Sequence, residues 1–190
     1  MWEHNGKVYA RVSDIIKPFV DFGGIDEEVL NRKAVIGTRV HKAIDEEIRG
    51  DLPILTGKEI GYFQSFNKWR HAVNVKFLET EKRYYCDTKR ITGCVDCLVE
   101  FQGENVAVLV DFKTSAQESP VTWPMQAHLY YYLATASGKK LAPRFLFIKL
   151  DRFGDLPKVF QYKFDNNLMN RCLQAIDSYW EKQSVALNVS

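Results

Sequence analysis

The sequence contains no run of about 20 apolar residues, the length needed to span a bilayer, and its start, MWEHNGKVYARVSD, lacks the cationic head and apolar stretch of a secretory leader. A soluble, intracellular, cytoplasmic protein is expected, with no membrane partner. No internal repeat, low-complexity tract or Pro/Gly-rich linker interrupts the chain, which argues against a repeat architecture or tethered domains. Charge of one sign is lacking too: 26 Lys and Arg stand against 24 Asp and Glu, a formal +2. No global field announces a polyanionic partner, although Lys82, Arg83, Lys89 and Arg90 form a local basic cluster. For each of them a solvated strand edge is the simpler reading. Cysteine is sparse, at four residues. Cys94 and Cys97 form a C-x-x-C, but on one extended strand, rising about 3.3 Å per residue, they point to opposite faces and cannot close on one ion. Structural thiols in a reducing compartment are expected.

What is present is apolar and aromatic content, 46% and 13% over 190 residues, enough for one well-buried core. A single domain over 1–190 is therefore expected. Helical periodicity runs from Asp26 to Arg49, where Val40, Ile44 and Ile48 make one stripe, and again from Thr56 to Val75, with Thr56 and Glu59 spaced as a capping box. Residues 1–78 read as mostly helical. The pattern then changes to strands over Leu78 to Cys86, Ile91 to Phe101 and Asn105 to Lys113. A helix over Pro124 to Ala136, strands over Arg144 to Leu150 and Lys158 to Phe164, and a helix over Asn167 to Lys182 complete the chain. The fold class is α/β, layered as α+β: a mixed sheet of about five strands, within 79–165, flanked by helices.

Two carboxylates sit where this pattern has no place for them. ITGCVDCLVEFQGENVAVLVDFKTS places Asp96 and Asp111 inside two apolar runs. A two-residue type II′ turn at Gly103 and Glu104 fixes a register that pairs Val95 with Phe112, Cys97 with Val110, Val99 with Val108 and Phe101 with Val106 on an apolar face. On the other face it sets Asp96 against Asp111 and Cys94 against Lys113. Opposed Cβ atoms lie about 4.5–5.5 Å apart, where like charges destabilise. Protonation of one aspartate, pairing with Lys113, or a divalent cation between them would each relieve the repulsion. A solvated strand end would explain one aspartate, whereas two in register beside a D-x-K favour a metal site.

Gly93-x-Val95-Asp96, Val110-Asp111-Phe112-Lys113-Thr114-Ser115, Gln126-x-x-x-Tyr130 and the upstream Gly37-Thr38-Arg39-Val40-His41 stand in an order that resembles the PD-(D/E)XK nuclease superfamily, in its RecB-like and phage-type exonuclease branch. The resemblance spans Gly37 to Tyr132 and implies a restriction-endonuclease-like fold. It further implies Asp96 and Asp111 as metal-binding carboxylates, the backbone carbonyl of Phe112 as a further oxygen ligand and Lys113 as the catalytic lysine. His41 is implied as metal-coordinating or metal-proximal. Gln126 and Tyr130 are implied as helix residues that orient the lysine and contact the scissile phosphate. Asp111 stands where glutamate is more frequent in the family. A glutamate before the first core strand is common in this branch, and Glu79 and Glu81 are both candidates, undecided by their alternation. The cysteine spacing departs from that of iron–sulfur relatives, so no cluster is expected.

The chemistry agrees with the resemblance. A divalent cation lowers the pKa of water and acts as a Lewis acid on a phosphate oxygen. Carboxylates at Asp96 and Asp111 suit one or two Mg²⁺ or Mn²⁺ ions, and an imidazole at His41 shifts tolerance towards Mn²⁺. The expected function is a metal-dependent DNA nuclease, foremost an exonuclease of phage or bacterial recombination and repair, acting on single- or double-stranded DNA. A recombination protein is a candidate partner, and the sequence leaves the oligomeric state open. The alternatives are a structure-specific or restriction-type endonuclease and a catalytically silent nucleic-acid-binding module. Plainer readings make Tyr130 part of an aromatic stripe, His41 a surface residue capped by Asp45, and Trp123 a cap on the core.

Overall fold

The structure, a computed structural model, describes residues 1–20, 24 and 26–188. Its elements are β1 (Trp2–His4), β2 (Lys7–Arg11), α1 (Val12–Ile16), α2 (Glu27–Arg49), α3 (Glu59–Ala72), β3 (Val75–Cys86), β4 (Ile91–Phe101), β5 (Ala107–Lys113), α4 (Thr122–Ala136), β6 (Leu141–Lys149), β7 (Lys158–Lys163) and α5 (Asn166–Asn188). None of the described helices is long and apolar enough to cross a membrane. Among the described residues the mixed sheet has seven strands rather than about five, because Trp2–Arg11 folds as a hairpin instead of joining a helical portion. Asn5 and Gly6, with φ of 50° and 71°, supply the two left-handed positions that such a turn requires.

Helices cover both faces of the sheet. On one side α2 and α3 bring Val40, Ile44, Phe66 and Trp69 against Cys97, Val99, Val110 and Phe112. On the other side Ile15, Leu129, Cys172 and Ile176, from α1, α4 and α5, pack on Ile91, Val95, Leu98 and Leu109. Asp26 caps α2 by accepting the Glu28 and Val29 amides, and Gly50, with φ of 88°, ends it. The capping box expected at Thr56 is absent, since α3 begins after Lys58 with no side-chain cap. Trp123 is buried and stacks on Phe147, as a residue of the core. His128, also buried, accepts the Asp165 amide through Nε2.

Strand β4 organises the sheet. It pairs with β3 from Val75 opposite Phe101 to Cys86 opposite Ile91, with Asp96 the one position of β4 that lacks a described partner there. A strand has only two edges, so β2 and β5 must share the other one. β2 pairs in parallel at Ile91 and Thr92, whereas β5 pairs antiparallel at Cys97, Leu98 and Val99. Among the described pairings, Gly93 to Asp96 are left without a ladder partner on that edge, and the sheet opens there.

The register between β4 and β5 is the expected one, with Cys97 opposite Val110 and Val99 opposite Val108. The turn differs. The Glu104 amide donates to the Phe101 carbonyl at 3.0 Å and Gly103 has φ of 84°, so glycine sits at the third position of a Phe101–Glu104 turn, where type II′ would need it at the second. One face assignment also differs. Val95 lies in the same core as Leu98, three residues on, so alternation slips between them and Val95 leaves the face of Cys97 and Val99.

Phe66 forms the centre of the α2/α3 side, with ring centroids 5.3 Å from Phe112 and 6.4 Å from Trp69. Replacing Phe66 by alanine should lower the unfolding free energy by about 3–5 kcal/mol in urea denaturation. A loss under about 1 kcal/mol would contradict its central place.

Candidate active site

The opening between β4 and β5 is where side chains from both helical layers meet. From α2, His41 Nδ1 lies 3.3 Å from Asp96 Oδ1 and 3.6 Å from Glu81 Oε1. From α4, Gln126 Oε1 accepts from Lys113 Nζ at 2.8 Å, while its Nε2 donates to Asp111 Oδ1 at 3.0 Å and to Tyr130 Oη at 3.2 Å. The structure thus brings together every side chain singled out by the motifs: His41, Asp96, Asp111, Lys113, Gln126 and Tyr130.

Asp96 and Asp111 are not a closed cross-strand pair. The described ladder stops at Cys97 and Val110. One residue further, the Asp96 carboxylate reaches across and its Oδ2 accepts the Phe112 amide at 2.7 Å. A side chain has taken the place of a ladder carbonyl, so the strands part while the Phe112 donor stays satisfied. The phenyl ring of Phe112 points the other way, 5.5 Å from the Trp69 ring, and anchors the backbone at this point.

Glu81 is the residue the sequence left undecided. Its backbone, with φ of 44°, breaks the alternation of β3 opposite Asp96. Counting by twos therefore gives the wrong face on one side of it. Glu79 is bound to Tyr84 and Lys139, whereas Glu81 joins His41 and Asp96 in a group whose ligand atoms all lie within 4.8 Å of one another. The asparagine-like φ at a glutamate has no sequence signature.

Like charge is dispersed unequally over the two aspartates. Burial alone would raise the Asp96 pKa, but His41, Lys113 and the Phe112 amide outweigh it and hold the group below the usual carboxylate range. Asp111, 1% exposed, is raised to about 6 by burial and by Asp96, with Lys113 opposing the rise. Burial would lower His41, yet the Asp96 and Glu81 carboxylates outweigh it and raise its pKa. Tyr130 is also raised, chiefly by burial and then by Asp111, which keeps its phenol protonated.

The residues fit a divalent cation. Asp111 Oδ2 is buried without a hydrogen bond, although Lys113 Nζ stands 2.7 Å away. That contact is an ion pair without hydrogen-bond alignment, which leaves an oxygen lone pair for a ligand. Two carboxylates, an imidazole and this orphaned oxygen make a hard donor set with one borderline member. Asp45, the expected cap of His41, is instead engaged by Arg49 and by Thr80 Oγ1 at 2.6 Å.

The local basic cluster is largely occupied with the fold. Arg83 lies over the Trp2 ring and Arg90 over the Trp180 ring, each at 3.9 Å, while Lys89 bonds Asp177 at 2.7 Å. Cys94 Sγ contacts Glu81 Oε2 at 3.3 Å, and its pKa is pushed to about 12 by burial and by that carboxylate. Cys97 is buried in the α2/α3 core.

Mn²⁺ at about a hundred times its Kd should raise the melting temperature by about 5–10 °C, an effect removed by Asp96→Asn. The sign with pH follows from protons that must leave. Asp111, at about 6, and His41, raised, lose protons before they ligate, so apparent Mn²⁺ affinity should climb as pH rises through 6 and beyond. Equal affinity at pH 5.5 and 7.5 in titration calorimetry would contradict this donor set.

Comparison with known proteins supplies the family. The model of the PD-(D/E)XK nuclease superfamily matches residues 55–181, about two-thirds of the chain. No curated protein matches the sequence. Among solved structures, an alkaline exonuclease (LHK-Exo) from Laribacter hongkongensis aligns with a TM-score of 0.55 at 10% identity, covering 95% of this chain and 90% of that chain. LHK-Exo in complex with dAMP aligns with a TM-score of 0.53 at 12% identity, with the same coverage of 95% and 90%. Such likenesses establish the fold, and the family match covers the stretch that carries Asp96, Asp111, Lys113, Gln126 and Tyr130. The chain belongs to the PD-(D/E)XK nuclease superfamily.

Proposed function

We propose that this nuclease is a deoxyribonuclease that uses Mg²⁺ or Mn²⁺ and degrades DNA from an end. The observation that carries the catalytic assignment is Gln126, whose one amide group holds both Lys113, at 2.8 Å, and Asp111, at 3.0 Å, beside the His41, Glu81 and Asp96 group. Asp96, Asp111, Glu81, His41 and the Phe112 carbonyl would hold the ion or ions. When bound, the cation supplies Lewis acidity towards a phosphate oxygen and acidifies water.

The chain's own groups set the rest of the reaction. Lys113 is fixed by Gln126 and by Asp111, and its Nζ lies 5.3 Å from the centre of the Phe147 ring. Three neighbours restrain a flexible stem, which supports a role for the ammonium in stabilising the negative charge that grows on the phosphate. Tyr130 fixes Gln126 in turn. A Cβ at Gly93 would stand 2.6 Å from the Tyr130 ring, so glycine in G-x-V-D is what allows that ring to lie against β4. Tyr130 therefore acts through Gln126 as a positioning residue.

The exonuclease mode draws support from the fold shared with LHK-Exo, and DNA as substrate from that enzyme's complex with dAMP. Work in DNA recombination or repair, in the cytoplasm of a bacterium or of a phage-infected one, suits that mode. We take 1–190 as one nuclease domain, because the β1–β2 hairpin continues the same sheet.

End-labelled linear DNA and closed circular DNA, each with Mg²⁺, Mn²⁺ or EDTA, test the proposal. Loss of linear DNA alone, abolished by EDTA, is expected. Lys113→Ala and Asp111→Asn should each lower the rate by at least about a hundredfold. Nicking of circles would turn the assignment to an endonuclease, and binding without cleavage under every metal would end the catalytic reading.

A further inference from the structure

Beyond the metal group, the richest unassigned surface is a trough that begins where β5 ends. It is bounded by α2, by the start of α3 and by the loop after β6, and has a volume of about 680 Å³. Lys33, Lys58, Lys149 and Arg152 line it, with the Thr114 and Ser115 hydroxyls at the end next to Lys113. Asp151 is the single carboxylate among its lining residues, and its Oδ1 is turned to the Phe153 and Asp155 amides of its own loop. None of the four cations has a described carboxylate within ion-pair distance, although neighbours such as Arg39 and Lys42 on α2 do. Unpaired positive charge here is a property of the surface rather than of one residue.

The trough leads to an exposed aromatic ring on a fixed support. Phe153 is 73% exposed, and the Arg152 guanidinium lies 4.4 Å from its centre. The loop that carries both is tightly held. A Cβ at Gly61 of α3 would fall 1.9 Å from the Arg152 carbonyl, so the loop backbone lies directly on that helix. The Asp151 amide donates to Ser65 Oγ at 2.9 Å, and Gly154, with φ of 85°, turns the chain back against Gln64. The anchors hold the ring outwards, where it also lines a second concavity with Lys68 and His71.

We propose that this trough holds a single-stranded segment of the DNA substrate, with a base stacked on Phe153 and successive phosphates on Lys33, Lys58, Lys149 and Arg152. Cations tracking a backbone, interrupted by an aromatic face, are the combination that binds single strands without sequence preference. A duplex stacks its bases on both sides everywhere but at its ends, so along its length it offers no free face to Phe153. The proposal rests on the nuclease reading for its substrate. It adds where the strand lies outside the reacting centre, and it makes single-stranded DNA the form this surface takes.

The test separates this proposal from the nuclease reading. Fluorescence anisotropy with a labelled oligothymidylate and with a blunt duplex, in EDTA, compares the wild type with Phe153→Ala and with Lys33→Ala/Lys58→Ala/Arg152→Ala. Phe153→Ala should weaken oligothymidylate binding by about tenfold and leave its salt slope intact. The triple variant should reduce that slope by about 2, for three phosphates at about 0.7 each. Metal-dependent hydrolysis of the p-nitrophenyl ester of thymidine 5′-monophosphate, too short to reach Phe153, should match the wild type in both. Wild-type affinity for oligothymidylate in both variants overturns the proposal, as does an equal loss on the duplex, while cleavage by the wild type would leave the nuclease reading standing. The reverse pattern, impaired strand binding by the variants and no cleavage by the wild type, keeps the trough and removes the nuclease reading.

Discussion

The hydrogen bond from the Phe112 amide to the Asp96 carboxylate is the constraint on which the site depends. It lies where β5 leaves β4, at 2.7 Å. A buried carboxylate away from water is costly unless donors surround it. Asp96 has one from the backbone of β5 and another from the α2 imidazole, and Coulombic support from Lys113. The same bond supplies the Phe112 amide with the acceptor that a longer ladder would have provided. Removing the carboxylate would leave the strand donor unpaired and His41 without its nearest partner. The geometry of the candidate site and the separation of the strands are therefore one feature.

Opening the sheet also explains why one site draws on two layers that are otherwise kept apart. In an unbroken sheet, α2 and α4 would face opposite sides with a strand surface between them. Without a ladder partner at Gly93 to Asp96, His41 reaches the group from one side and Gln126 from the other. The two sides differ in wetness. His41 and Glu81 side chains are 25% and 35% exposed, whereas Asp111 is 1% exposed. The charge balance is short of cations: three carboxylates face one ammonium and one imidazole. A divalent ion would offset that deficit, and Asp111 Oδ2, ion-paired with Lys113 but without a hydrogen bond, is an oxygen it could use.

Much of this was legible because side-chain alternation is a strong constraint even where the turn is misread. The apolar faces of β4 and β5 fix the pairing of Cys97 with Val110 whichever turn closes the hairpin, since a one-residue slip would expose both sets. The register expected from the wrong turn type was consequently the right one. Periodicity also located α2, α4 and β4 closely, because each buries a continuous stripe. It failed where a strand has no buried stripe. Trp2, Glu3 and His4 are all exposed, so β1 carries no alternation, and only Asn5-Gly6 marked the hairpin. It failed also at Glu81, where a left-handed backbone breaks the alternation of β3, and at Val95, which packs with Leu98 rather than with Cys97.

The trough and the site answer to one physical requirement, that an anionic polymer be held without neutralising the groups that react with it. Lys113 is committed to Asp111 and Gln126, and it is shielded by them, being 18% exposed. Such an ammonium can serve one phosphate and has nothing left for the strand on either side. The cations of the trough are free of that commitment and stand further along the same surface, past Thr114 and Ser115. Placing the strand-binding charge on α2, just before α3, at the end of β6 and in the loop after it, rather than around Asp96 and Asp111, keeps it from competing with a metal for the carboxylates. The loop's anchors then have a reason: Gly61, Ser65 and Gly154 hold Arg152 and Phe153 on the same rigid layer that carries His41. A strand positioned by that layer is positioned relative to the metal group as well.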